Sequence, residues 1–128
     1  MTEWIEQTGL VLFVEDYPAC VAFYRDTLEL KVFADQGDLT VFRFGSGYLK
    51  VESGGVASAS GKSRAQSSII LRFNVADVDK EAARLLSLGT PVSVEHFEWG
   101  TIGKFIDPDG NPCELRNHFD GFFAPVRA

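Results

Sequence analysis

The sequence predicts an α+β fold of two tandem β-α-β-β-β units whose curved mixed sheets surround a cavity. Three observations carry this. An apolar strand pattern followed by an aspartate-capped amphipathic helix occurs twice, and three more strand candidates follow each helix. The run Asp107-Pro108-Asp109-Gly110-Asn111 then reverses the chain before its last strand, because proline presets φ and glycine or asparagine supplies a left-handed residue.

In the first unit, Leu10 to Val14 read as a strand that ends at Asp16, where a helix N-cap belongs. Pro18 falls in the first helical turn, where its missing N–H costs little. Val21, Tyr24 and Leu28 recur at helical spacing beside Cys20, Phe23 and Thr27, which predicts an amphipathic helix from Pro18 to Leu28. Strands are expected at Lys31 to Ala34, Leu39 to Phe44 and Tyr48 to Glu52, separated by turn-like segments.

The pattern restarts at Ser68 with IILRFNVAD, capped by Asp77 as the first helix is by Asp16. Val78, Ala82, Leu85 and Leu86 define the inner face of a helix from Val78 to Leu88, and Gly89 suits its C-cap. Strands are expected at Val92 to Glu95, Thr101 to Ile106 and Cys113 to Asn117. Alternation on the last puts Pro112, Glu114, Arg116 and His118 on one face, and Cys113 and Leu115 on the other. The organisation is thus a single domain over residues 1–128: a first unit at 5–52, a Gly/Ser-rich linker at 53–67, a second unit at 68–118 and a tail at 119–128. The linker is read as a mobile connector or a functional lid, because a segment of that length without secondary structure is uncommon inside a compact domain.

With 128 residues, 45% of them apolar and eleven phenylalanines, the chain can bury a real core. No apolar run approaches the roughly 20 residues needed to span a bilayer. MTEWIEQTG lacks the basic flank and apolar stretch of a secretory signal, so a soluble cytoplasmic protein with no membrane partner is expected. The net charge of −6 argues against nucleic-acid binding and would attract a cationic ligand. Cys20 and Cys113 form neither a disulfide framework nor a metal-ligand spacing and are expected to be free thiols.

The repeated unit, with VEDYPACVAFYRDTLEL opening the first half and WGTIGKFIDPDGNPCEL closing the second, resembles the vicinal oxygen chelate superfamily. That group includes glyoxalase I, extradiol dioxygenases, methylmalonyl-CoA epimerase, and the fosfomycin and bleomycin resistance proteins. The resemblance covers nearly the whole chain and implies the glyoxalase/bleomycin resistance-like fold. It does not imply one reaction, because members share a scaffold while their chemistries differ.

In metal-dependent relatives each unit supplies two ligands, one from its first strand and one from its last. Here the first-strand positions fall on Gly9 and Ile70, which carry no donor, and the last-strand positions on Lys50 and Glu114. A slip of two residues would put Glu52 in place of Lys50, and even Glu52 with Glu114 would hold Mg²⁺ or Mn²⁺ only weakly. His96 is expected at the surface, and His118 lies about 13 Å along the strand from Glu114, too far for joint coordination. No metal and no cofactor are therefore expected.

Residues in phase with these positions form the expected ligand wall: Gln7, Gly9 and Val11; Tyr48, Lys50 and Glu52; Ser68, Ile70 and Arg72; Glu114 and Arg116. Phe97, Trp99, Phe105, Phe119, Phe122 and Phe123 could add aromatic surface, although each also suits ordinary core packing. Lys50 is expected to pair with Glu114, an ammonium standing where relatives carry a metal. Two functional classes remain. One is a homodimeric protein resembling bleomycin resistance proteins, which sequesters a small organic molecule without chemistry. The other is a glyoxalase I-like lyase or a dioxygenase-like enzyme, with Glu114 as the candidate acid or base.

Overall fold

The computed structural model describes residues 4–117 of the chain. It resolves into two compact units that divide after Val56, each a four-stranded mixed sheet with one helical segment against it.

The first unit contains β1 (Gly9–Val14), α1 (Tyr17–Ala22), β2 (Val32–Asp35), β3 (Leu39–Phe44) and β4 (Gly47–Ser53), in the sheet order β1-β4-β3-β2. β1 and β4 run parallel, while the β3–β4 and β2–β3 pairs are antiparallel hairpins. The Asp16 carboxylate accepts from the Ala19 N–H at 3.1 Å, satisfying one of the amides that every helix start leaves without a partner. Val14, Cys20, Tyr24, Phe42, Leu49 and Val51 are all fully buried, so one face of β1, β3 and β4 packs with the helical segment into the core. The Tyr24 and Phe42 rings lie 6.1 Å apart, and the Tyr17 hydroxyl meets the buried Thr40 hydroxyl at 2.6 Å.

The continuous helix expected from Pro18 to Leu28 is corrected here. After Ala22 the backbone widens into a π-helical segment, Phe23–Thr27, in which the Leu28 N–H donates to the Phe23 carbonyl. Side-chain periodicity distinguishes poorly between helix types over one turn, and both Phe23 and Tyr24 are buried in this arrangement.

The second unit repeats the order with β5 (Leu71–Asn74), α2 (Val78–Ser87), β6 (Ser93–Phe97), β7 (Gly100–Ile106) and β8 (Pro112–Arg116), in the sheet order β5-β8-β7-β6. Asp77 accepts from the Lys80 N–H at 3.1 Å, the same cap as Asp16 provides. Leu71, Val78, Ala82, Leu85, Phe105, Cys113 and Leu115 form the core. β5 starts three residues later than the expected Ser68. Its parallel partner ladder begins with Leu71 against Cys113, and the preceding Pro112 has no N–H to extend it.

The Asp107–Asn111 turn is held from within. The Asp107 carboxylate accepts from the Asp109 and Asn111 amides and from the Asn111 side chain at 2.8 to 2.9 Å. Part of the expected linker is docked on this turn. Ser58 N–H donates to the Asp109 carbonyl, Lys62 N–H donates to the Gly110 carbonyl, and Lys62 Nζ donates to Asn111 Oδ1 at 2.8 Å. Gly110 has φ of +87°, and a Cβ there would overlap the Ser58 carbonyl, so the turn and the strap both require glycine.

Candidate functional site

Strand alternation presents one face of each sheet to the core and leaves the other for function. On the first sheet the register sets Gly9 opposite Tyr48, Val11 opposite Lys50 and Phe13 opposite Glu52. Val11 and Phe13 are about half exposed, unlike the buried Val14, Leu49 and Val51 of the opposite face. A Cβ built on Gly9 would fall inside the Tyr48 ring, so the phenol occupies the space a side chain at position 9 would need. Lys50 Nζ lies 3.0 Å from Glu52 Oε1, its neighbour two residues along β4. Gln7 is exposed and precedes β1.

On the second sheet Glu114 stands between Arg72 of β5 and Lys104 of β7 in register. Its side chain is 6% exposed, and Oε1 accepts from Arg72 Nε at 2.8 Å. Within the second unit the counter-ion of this carboxylate is Arg72, and within the first the Lys50 ammonium pairs with Glu52. The physical reason is distance along the ladder: directly paired strand residues on one face stand within side-chain reach of each other.

A cleft of about 310 Å³ opens beside Glu114, bordered by Arg64, Ile70, Lys104, Ile106 and Pro112. Ile70 precedes β5 and is 43% exposed, and Ser68 also lies outside the strand. Of these border residues, Arg64, Lys104, Ile106 and Pro112 were not on the expected wall, and the first two bring charge. Lys104 was legible, because the Asp107–Asn111 turn pairs Ile106 with Pro112 and so carries Lys104 to Glu114. Arg64 was not, because its position depends on the strap folding back over the turn.

Towards the far end of β8, the Arg116 guanidinium lies 4.5 Å from the Trp99 ring centroid. Trp99 in turn stacks on Phe97 at 4.7 Å with rings 5° from parallel. Phe97 and Trp99 remain substantially exposed, whereas Phe105 is buried. His96 is exposed on β6 and contacts Asp79 of α2 at 3.0 Å. His118, Phe119, Phe122 and Phe123 lie outside the described residues.

The residues at the four ligand positions do not fit a transition metal. Gly9 and Ile70 offer no donor, Lys50 is a cation, and Glu114 is engaged by Arg72. Among the described residues no three His, Cys, Asp or Glu side chains cluster as a metal site, and no helix is long and apolar enough to cross a membrane.

Comparison with known proteins agrees with this architecture. A family model for the Glyoxalase/Bleomycin resistance protein/Dioxygenase superfamily matches residues 5–115. The Bacillus subtilis (strain 168) protein YraH is 30% identical over 117 residues, covering 81% of this chain and 91% of that protein. Lactoylglutathione lyase from Agrobacterium tumefaciens superposes with a TM-score of 0.71 at 22% identity, over 96% of this chain and 100% of its own. The fosfomycin resistance protein FosX from Mesorhizobium loti does so with a TM-score of 0.65 at 18% identity, over 94% of this chain and 96% of its own. At such identities the likeness to these two structures is one of fold.

Proposed function

Because the chain belongs to the glyoxalase/bleomycin resistance protein/dioxygenase superfamily, whose chemistry varies on one scaffold, we propose that it is a metal-independent binder of a small organic ligand. It resembles bleomycin resistance proteins in holding its ligand without transforming it. The observation that carries this reading is the engagement of Glu114 by Arg72 beside an open cleft. A carboxylate already bonded to a guanidinium is a poor ligand for an added cation, while Ile70, Ile106 and Pro112 offer apolar area for an organic body. The cleft's volume lies at the lower end for ligand pockets, which favours a compact ligand. The proposed ligand contacts are Ile70, Arg72, Glu114 and Arg116 on the second unit. On the first unit, taken by itself, the exposed face of its sheet carries the other proposed contacts, Gln7, Val11, Tyr48, Lys50 and Glu52.

A cytoplasmic homodimer completes the proposal. The exposed Val11 and Phe13 are apolar surface of the kind a second copy would cover. Light scattering on the purified chain should give twice the 14.1 kDa chain mass, and a monomer at all concentrations removes the dimer from the proposal.

A competing reading, a glyoxalase-like lyase or dioxygenase-like enzyme, draws on the burial of Glu114, a carboxylate suited to proton transfer if released from Arg72. A titration of chelator-treated protein with small organic molecules, followed by amide NMR, separates the two. Binding that persists in chelator supports the binder. Turnover that appears only on adding metal sinks it.

A further inference from the structure

Resting on the reading of this cleft as a ligand site, we propose that its ligand is an anion: a compact apolar molecule carrying a carboxylate, phosphate or similar group. The inference follows from which charges border the cleft and which of them are already engaged. Among the described residues at its border the only carboxylate is Glu114, and Arg72 neutralises it at 2.8 Å. Arg64 and Lys104 also border the cleft, and neither has an ion-pair or hydrogen-bond partner among the described residues. The local balance is thus two uncompensated cations beside an apolar floor of Ile70, Ile106 and Pro112, in a chain whose net charge is −6.

A cationic ligand, which overall charge alone would favour, would meet like charge here. The wider field does not outweigh this, because exposed charges beyond about 8 Å are largely screened at physiological ionic strength, whereas groups at the cleft act at contact distance. An anion would gain charge-assisted hydrogen bonds from both side chains. The two cations also differ in origin. Lys104 is fixed by the β7–β8 register. Arg64 follows the strap that Ser58 and Lys62 anchor to the Asp107–Asn111 turn, which gives the strap a role in selecting the ligand's charge.

The test uses three probes with one apolar body: 3-phenylpropionate, 3-phenylpropan-1-ol and 3-phenylpropylamine. Each is titrated into the whole chain to about 10 mM, a range that detects millimolar affinity, with amide shifts around Ile70, Lys104 and Glu114 as the readout. The carboxylate should bind about tenfold more tightly than the alcohol, and the amine most weakly. Arg64→Gln and Lys104→Met should each reduce the carboxylate's advantage by about threefold or more, as loss of one charge-assisted contact at an exposed rim predicts. Arg64→Lys should retain most of that advantage. Both residues are exposed, so the unchanged spectrum elsewhere verifies the fold of each variant. If the alcohol or amine binds the cleft as tightly as the carboxylate, or if both charge-removing variants keep the full preference, the anion is wrong while the ligand site stands. If no probe moves the cleft's resonances, the site and the inference fall together.

Discussion

Glu114 Oε1 accepts a hydrogen bond from Arg72 Nε at 2.8 Å, and the two residues face each other across the parallel strands β5 and β8. Glu114 is buried while the Arg72 side chain is 37% exposed, so the pair lies between the surface and interior limits. Truncating one member of a buried pair costs roughly 3–5 kcal/mol, and an exposed pair contributes about 0–1 kcal/mol.

Arg72→Met should therefore destabilise the chain by about 1–3 kcal/mol. Glu114→Gln should cost less, because a neutral amide keeps an acceptor for the guanidinium. A double-mutant cycle in urea should show coupling of at least about 0.5 kcal/mol, as residues in contact do. Additive effects would mean that the bond contributes nothing to stability.

Gly9 and Tyr48 make a second coupled pair. Replacing glycine by alanine in an unstrained, open strand position would stabilise by about 0.4–1 kcal/mol through the unfolded chain. Here the new methyl would overlap the Tyr48 ring, so Gly9→Ala should instead destabilise by about 1–3 kcal/mol. In a Tyr48→Ala background that cost should vanish. Denaturation midpoints of the four proteins decide the sign.

The strap over the Asp107–Asn111 turn can be tested with two glycines. Gly61 and Gly110 both adopt positive φ, which costs an alanine about 1–2 kcal/mol. Only at Gly110 would the added Cβ also strike the Ser58 carbonyl, whereas at Gly61 it would meet Ile106 at an ordinary 3.6 Å. Gly110→Ala should thus cost more than Gly61→Ala and should speed hydrogen exchange of the Ser58 and Lys62 amides. Equal costs would show that the strap adds nothing to the turn's stability.

Elemental analysis after brief chelation should find no stoichiometric zinc, nickel or iron. The basis is the chemistry of Gly9, Lys50, Ile70 and Glu114, which together present one carboxylate already bonded to Arg72. A full equivalent of any of these metals per chain would refute it.

Local chemistry in the sequence was enough to determine the repeat, the caps and the turn. Asp16 and Asp77 bond to amides three residues on, and Asp107 to groups within four. Alternation likewise put Val11, Lys50, Arg72 and Glu114 on the faces they occupy, because strand period depends only on neighbouring residues. Tertiary structure decided which of those charges meet. Arg72 and Glu114 are 42 residues apart, and Lys62 and Asn111 are 49 apart. Such pairs depend on strand order and on where the linker lands, which periodicity does not encode. Tyr48 over Gly9 belongs with them: both residues were legible as in-phase positions, but the ring's place above the glycine required the β1–β4 register. The sequence thus determined which side chains share a strand face, and strand pairing and the docked linker determined which of them meet.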